Sequence, residues 1–227
     1  MRTLFRGVVL TLLSLAGCSS KDPIFFHSVS LASDPVLEVA ASDQLPYNLG
    51  IEPFTAVSEL SSLNLLVRAS PEIRRYQTYE VTQLWCALPA SMVEESAEVF
   101  FESRFASAET YPGSYVSDLI LRAQLTHFEE IRQQDPPVAF VGLKYQILVR
   151  QEATSELPFE RVYEPLASGW VYARGQEPLP ERGRLRDGSD LTVALTAAMK
   201  KAFDQIYQKC VEHQGELPKS RGEFRGP

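Results

Sequence analysis

Two stretches late in the chain alternate apolar and polar residues with a period of two, and this limits the fold more than any other feature. Leu119, Leu121, Ala123 and Leu125 fall on one face, with Asp118, Arg122, Gln124 and Thr126 largely on the other. Ala139, Val141, Leu143, Tyr145, Ile147 and Val149 repeat the pattern. Successive side chains of a strand point to opposite faces, so each stretch reads as a half-buried strand. Between them Gln133-Gln134-Asp135-Pro136-Pro137 is a turn or open loop, which favours antiparallel pairing. Residues 159–173 (FERVYEPLASGWVYA) supply a less regular third member, where Pro165 marks an edge or a break because proline cannot donate to the ladder.

The earlier half adds shorter strand signals: residues 24–31 (IFFHSVSL), 47–54 (YNLGIEPF), 63–69 (LNLLVRA), and one or two short strands within 73–87. Residues 32–46 read mainly as loop. Within 73–87, Tyr79, Val81, Gln83 and Trp85 share one face and Cys86 takes the other. Two helices are expected. Ser91 and Glu94 fit a capping box after Pro89, followed by Val93, Ala97, Phe100, Phe101 and Phe105 at helical spacing. Residues 174–189 read as loop, after which Ser189 can cap a helix with Leu191, Leu195, Ala198, Ala202, Ile206 and Cys210 on one stripe. The expected class is α+β, a mainly antiparallel sheet with two amphipathic helices packed on one face. The other face must then be polar, or covered by a partner or by lipid.

At 227 residues, 44% hydrophobic and 22% charged, the chain suits one globular domain. Its formal net charge of -7 and lack of a basic tract disfavour nucleic-acid binding. Arg2 and Arg6 precede an apolar run, Gly7 to Leu15, about half the length needed to cross a bilayer. That is the shape of a secretory signal. The following Leu15-Ala16-Gly17-Cys18 resembles the bacterial lipoprotein signal. The resemblance implies removal of residues 1–17 and lipidation of Cys18, with 18–23 as anchor and short tether. Ser19 and Ser20, with no aspartate beside the cysteine, resemble the pattern sorted to the outer membrane. The membrane contact would then be the N-terminal lipid, with a body over 24–211 facing the periplasm and a disordered tail over 212–227.

The chemistry census is short. His27, His127 and His213 are far apart and match no metal spacing, and His127 reads as a solvated surface residue. There is no phosphate loop, no two-cysteine redox motif and no serine elbow. Cys86 and Cys210 read as buried free thiols, with a disulfide between them as the alternative. No catalytic residue, metal or cofactor is expected beyond the lipid on Cys18.

Four segments resist a generic reading: Phe25-Phe26-His27-Ser28-Val29-Ser30-Leu31, Leu65-Leu66-Val67-Arg68, Tyr79 with Val81-Thr82-Gln83-Leu84-Trp85-Cys86-Ala87, and the alanine-rich stretch Ala194 to Ile206. With the signal, their order resembles the ABC-type transport auxiliary lipoprotein family over roughly residues 18–210. The resemblance implies a periplasmic αβ body that docks on an MCE-domain protein. An inner-membrane ABC permease and ATPase complete the system, which moves phospholipid or a related hydrophobic substrate between membranes. It implies no catalytic residues. Phe25, Phe26, Tyr79 and Trp85 are the docking or packing candidates, with Trp85 expected to join its strand to the first helix. Two other readings stay open: a lipoprotein regulator of a periplasmic cell-wall enzyme, and an autonomous lipid-binding module. A homo-oligomer is also left open as one way to cover unpaired sheet edges.

Overall fold

The computed structural model describes residues 24–31, 44–69, 77–78, 83–113, 116–132, 136–151, 163–176 and 188–217. The α+β class holds: a mixed sheet is covered on one face by two helices. Its frame is an antiparallel meander of three long strands, β8 (Leu119–Ile131), β9 (Val138–Arg150) and β10 (Tyr163–Gln176). The alternating residues do what their period requires. Leu121 lies opposite Ile147, and Leu143 lies between Leu125 and Val171; all are buried on the helix side. Strand β10 forms one end of the sheet and carries a bulge between Pro165 and Ala167, as proline on an edge predicts.

The far edge of β8 is shared by three short strands, all parallel to it. They are β2 (Leu45–Ile51), β3 (Thr55–Ala56) and β4 (Leu66–Arg68). Strand β5 (Gln77–Thr78) pairs with β4, and β7 (Phe105–Thr110) lies parallel to β2 beyond it. A separate two-stranded ribbon joins β1 (Phe25–His27) to β6 (Gln83–Trp85), also in parallel.

The helices are α1 (Pro89–Glu102) and α2 (Gly188–Glu212). From α1 come Met92, Val93, Ala97, Phe100 and Phe101; from α2 come Leu191, Leu195, Ala198, Ala202, Ile206 and Cys210, the expected stripe. Phe100, Phe101, Phe105, Phe203 and Tyr207 interlock between them with ring centroids 5.1–5.9 Å apart.

Several boundaries differ from expectation. Helix α1 ends at Glu102, and Phe105 begins β7 instead of closing the helical stripe; the apolar side chain serves the same core from a strand. The capping box does not form, since Pro89 takes the first helical turn and the N-cap position is Leu88 with no side-chain bond. Glu94 instead accepts the Phe54 backbone N–H at 2.8 Å. Ser189 lies inside α2, whose first residue is Gly188. Leu45 and Pro46 belong to β2, and Arg174, Gly175 and Gln176 to β10, where loop was expected. The first residues of the expected tail are structured: α2 runs to Glu212 and a 3-10 turn at Gln214–Glu216 returns Leu217 to the core, while residues 218–227 lie outside the described part.

Candidate docking face

A β-bulge between Leu125 and His127 decides what the helix-free face carries. Without it, the period of β8 would continue into the core through His127 and Glu129. The extra residue reverses the phase, so Phe128 enters the core opposite Val141 while His127 and Glu129 turn to the other face. There His127 meets two aromatic rings, Phe140 at 5.1 Å and Tyr172 at 5.6 Å. Phe140 and Tyr172 are stacked 5.8 Å apart, and Trp170 stacks on Tyr172 at 6.1 Å. Gly142 lies between His127 and Tyr172 in the ladder, and its missing side chain lets the rings close over the backbone. A Cβ there would stand 2.6 Å from His127 Nδ1 and 3.0 Å from Tyr172 Cδ1.

This row of rings is open to water at its β10 end, where Trp170 is 52% and Tyr172 46% exposed. Cations flank it. Lys144 Nζ lies 5.8 Å from the centre of Trp170, and the Arg174 guanidinium the same distance from Phe140. Among the described residues neither cation has a carboxylate partner. Beside Lys144 the face dips into an open groove of about 360 Å³, bordered by Pro53, Thr55, Gln124, Gln146 and the Glu52–Arg122 ion pair at 2.7 Å. In a chain of net charge -7, this is an aromatic surface with uncompensated positive charge.

At the other end the face is closed. Glu129 is fully buried and its Oε1 stands 3.0 Å from Arg68 of β4, while its Oε2 accepts the Phe128 N–H. Desolvation outweighs both contacts and pushes the Glu129 carboxyl up to about 7. Burial and the Arg68 charge hold the His127 imidazole below its usual value, so His127 is half-buried among rings and not the solvated residue expected.

The sequence candidates separate in space. Trp85 is buried, and its ring packs on that of Phe128 of β8 at 5.3 Å, so it ties the ribbon to the sheet. Phe25 and Phe26 lie at the chain's first described strand and are 51% and 62% exposed. Cys18 and Tyr79 lie outside the described residues. Cys210 is buried and its thiol pushed up to about 12 by that burial, whereas Cys86 is exposed, not buried; both are free thiols. Trp170, Tyr172, Phe140 and Lys144 did not stand out as candidates. Their signal was a Trp-x-Tyr pair on the supposedly polar side of an edge strand, opposite small apolar Val171 and Ala173.

Among the described residues no helix is long and apolar enough to cross a membrane, and no cluster of potential metal ligands occurs. No family model and no curated protein matches this chain. Solved structures do. Protein XCC0632 from Xanthomonas campestris, described with the family DUF330, is similar at a TM-score of 0.58 and 17% identity, over 86% of this chain and 96% of its own. An uncharacterized protein aligns at a TM-score of 0.51 and 10% identity, over 73% and 93%. Lipoprotein GNA1162 from Neisseria meningitidis covers 72% of this chain at 14% identity, with a TM-score of 0.25 that carries no inference of shared fold. The first two likenesses place this chain in a fold already seen in solved proteins, and they extend to the fold alone.

Proposed function

We propose that the chain is a non-enzymatic, lipid-anchored component of the outer membrane that docks on a periplasmic MCE-domain protein of an ABC-driven lipid transport system. The observation that carries this reading is the helix-free sheet face, where Trp170 and Tyr172 stand exposed beside Lys144 and Arg174, which have no carboxylate partner among the described residues. Exposed aromatics beside unpaired cations suit a protein interface better than bulk water, because the rings gain from burial and the cations from complementary charge. The signal ending at Cys18 and the resemblance to the auxiliary lipoprotein family supply the compartment and the partner class. The inner-membrane ATPase would supply the energy, since a passive docking body cannot drive net transfer. Mild crosslinking in intact envelopes followed by purification should recover an MCE-domain protein, and deletion should weaken the lipid barrier of the outer membrane. The double variant Trp170→Ala, Tyr172→Ala should lose that partner while retaining its unfolding temperature. Recovery of a cell-wall enzyme alone, with detergent resistance unchanged by deletion, would replace this reading with the regulatory one.

A further inference from the structure

The ribbon of β1 and β6 exposes an apolar patch that neither the core nor the helix-free face uses. The period of β1, carried one residue back, puts Ile24 and Phe26 on one side, and the register sets Phe26 beside Leu84 of β6. Ile24 is 57% and Phe26 62% exposed, while Leu84 is partly so. Phe25 points to the opposite side and is 51% exposed as well. The ribbon is nonetheless fixed to the body. His27 contacts Gln83 through its ring nitrogen, Cys86 N–H donates to the His27 carbonyl at 2.8 Å, and Trp85 is locked against Phe128. Phe26 in the strand and Ile24 just before it are thus held outward on one side of a fixed ribbon, with Phe25 exposed on the other.

We infer that Ile24 and Phe26 form a membrane-contact patch that enters the headgroup region beside the lipid anchor. The argument is one of reach, and it rests on the reading of Cys18 as the acylated residue. Six residue steps separate Cys18 from Ile24, and a fully extended chain spans at most about 3.3–3.6 Å per residue, so the patch cannot lie farther than roughly 20 Å from the anchored atom. Each headgroup layer is itself about 5–8 Å deep. The bilayer is therefore the one surface held within reach of these side chains in every anchored molecule. Burying aromatic and aliphatic groups at that boundary is favourable. Such a second contact would also fix the orientation of the body, which acyl chains on a flexible tether cannot do.

The test uses the mature, lipidated protein reconstituted in vesicles of phosphatidylethanolamine and phosphatidylglycerol, part of the lipid being brominated near the headgroup end of the acyl chain. Phe26→Trp, and separately Ile24→Trp, are each made together with Trp170→Phe, leaving buried Trp85 as constant background. Retained unfolding midpoints confirm that each variant folds. The introduced indole should lose about half its emission to the brominated lipid, as a ring lying about 5–10 Å into the boundary requires, and should resist aqueous iodide. The native Trp170 of the parent protein should show the reverse. If both introduced indoles are quenched by iodide and untouched by brominated lipid, while intact mass shows Cys18 acylated, the patch is refuted and the anchor stands. If Trp170 responds to lipid instead, the sheet face meets the membrane and the inference is equally overturned. An unmodified Cys18 by intact mass would remove the anchor and this inference together.

Discussion

A buried tryptophan with an unpaired N–H is a mixed contribution to stability, and Trp85 is one. Its ring is almost fully covered and packs on Phe128 at 5.3 Å, yet Nε1 has no acceptor among the described residues. Trp85→Ala removes the ring and leaves a cavity, so about 3–5 kcal/mol should be lost in denaturant unfolding. Trp85→Phe keeps the contact and removes the orphaned donor, whose desolvation alone costs about 1–3 kcal/mol, so it should cost clearly less. Equal losses from the two variants would show that the ring contact is not what holds the ribbon. Glu129 permits a prediction in pH. With its folded value raised to about 7 from the ordinary 4.5, it binds a proton in the folded state across that interval but not in the unfolded state. Its contribution is fully present below the unfolded value and is lost as pH rises to about 7. His127, held low by burial, acts in the opposite direction. The informative measurement is therefore the difference between wild type and Glu129→Gln. Unfolding free energies measured from pH 4 to 8 should fall with pH in the wild type relative to the variant, and parallel curves would refute a raised Glu129.

At the scale of elements, the separation of α2 from the meander is set at one point. A Cβ on Gly175 of β10 would stand 1.7 Å from the backbone carbonyl oxygen of Ala194, an obstacle that no rotamer change relieves. Gly175→Ala must push the helix from the sheet and should cost about 1–3 kcal/mol or more by overpacking, read as a lower unfolding midpoint. Gly215, with nothing within 4 Å of its virtual Cβ, provides the control, and Gly215→Ala should leave the midpoint nearly unchanged. Which elements were legible in the sequence follows from how local their causes are. The α2 stripe and the core faces of β8 and β9 were readable because periodicity along one segment determines them. The edge of β8 was not readable, since β2, β3 and β4 dock there with two or three register pairs each, a choice made by distant partners. Phe105 looked helical by spacing because a strand entering the same core needs the same apolar residue. The candidate docking face was hidden for a related reason: His127, Phe140, Tyr172 and Trp170 come together only once a bulge and the register of two antiparallel pairs are known.

Over the whole molecule, charge and shape point the same way. The chain carries -7 overall, yet the broad helix-free face offers Lys144 and Arg174 without a carboxylate partner among the described residues, and Glu52 and Arg122 beside the groove neutralise each other. A general attraction of partners to this body would follow its negative total; attraction to this face would follow the local positive field. The two differ in sign, so charge reversal separates them. With the MCE-domain partner of the proposed complex, the double variant Lys144→Glu, Arg174→Glu should slow association about tenfold or more at low salt, because a steered encounter is lost and like charges now face each other. The difference between wild type and variant should shrink as ionic strength rises, since at about 0.15 M screening acts within roughly 8 Å. Thermal stability should hardly move, as exposed charges away from ion pairs change it by about 0.5 kcal/mol or less. Binding kinetics measured between low and high salt, as the screening length falls from about 20 Å to about 4 Å, would read this directly. Faster association of the variant, or an association rate of the wild type indifferent to salt, would move the docking surface off this face and leave Trp170 and Tyr172 without a partner.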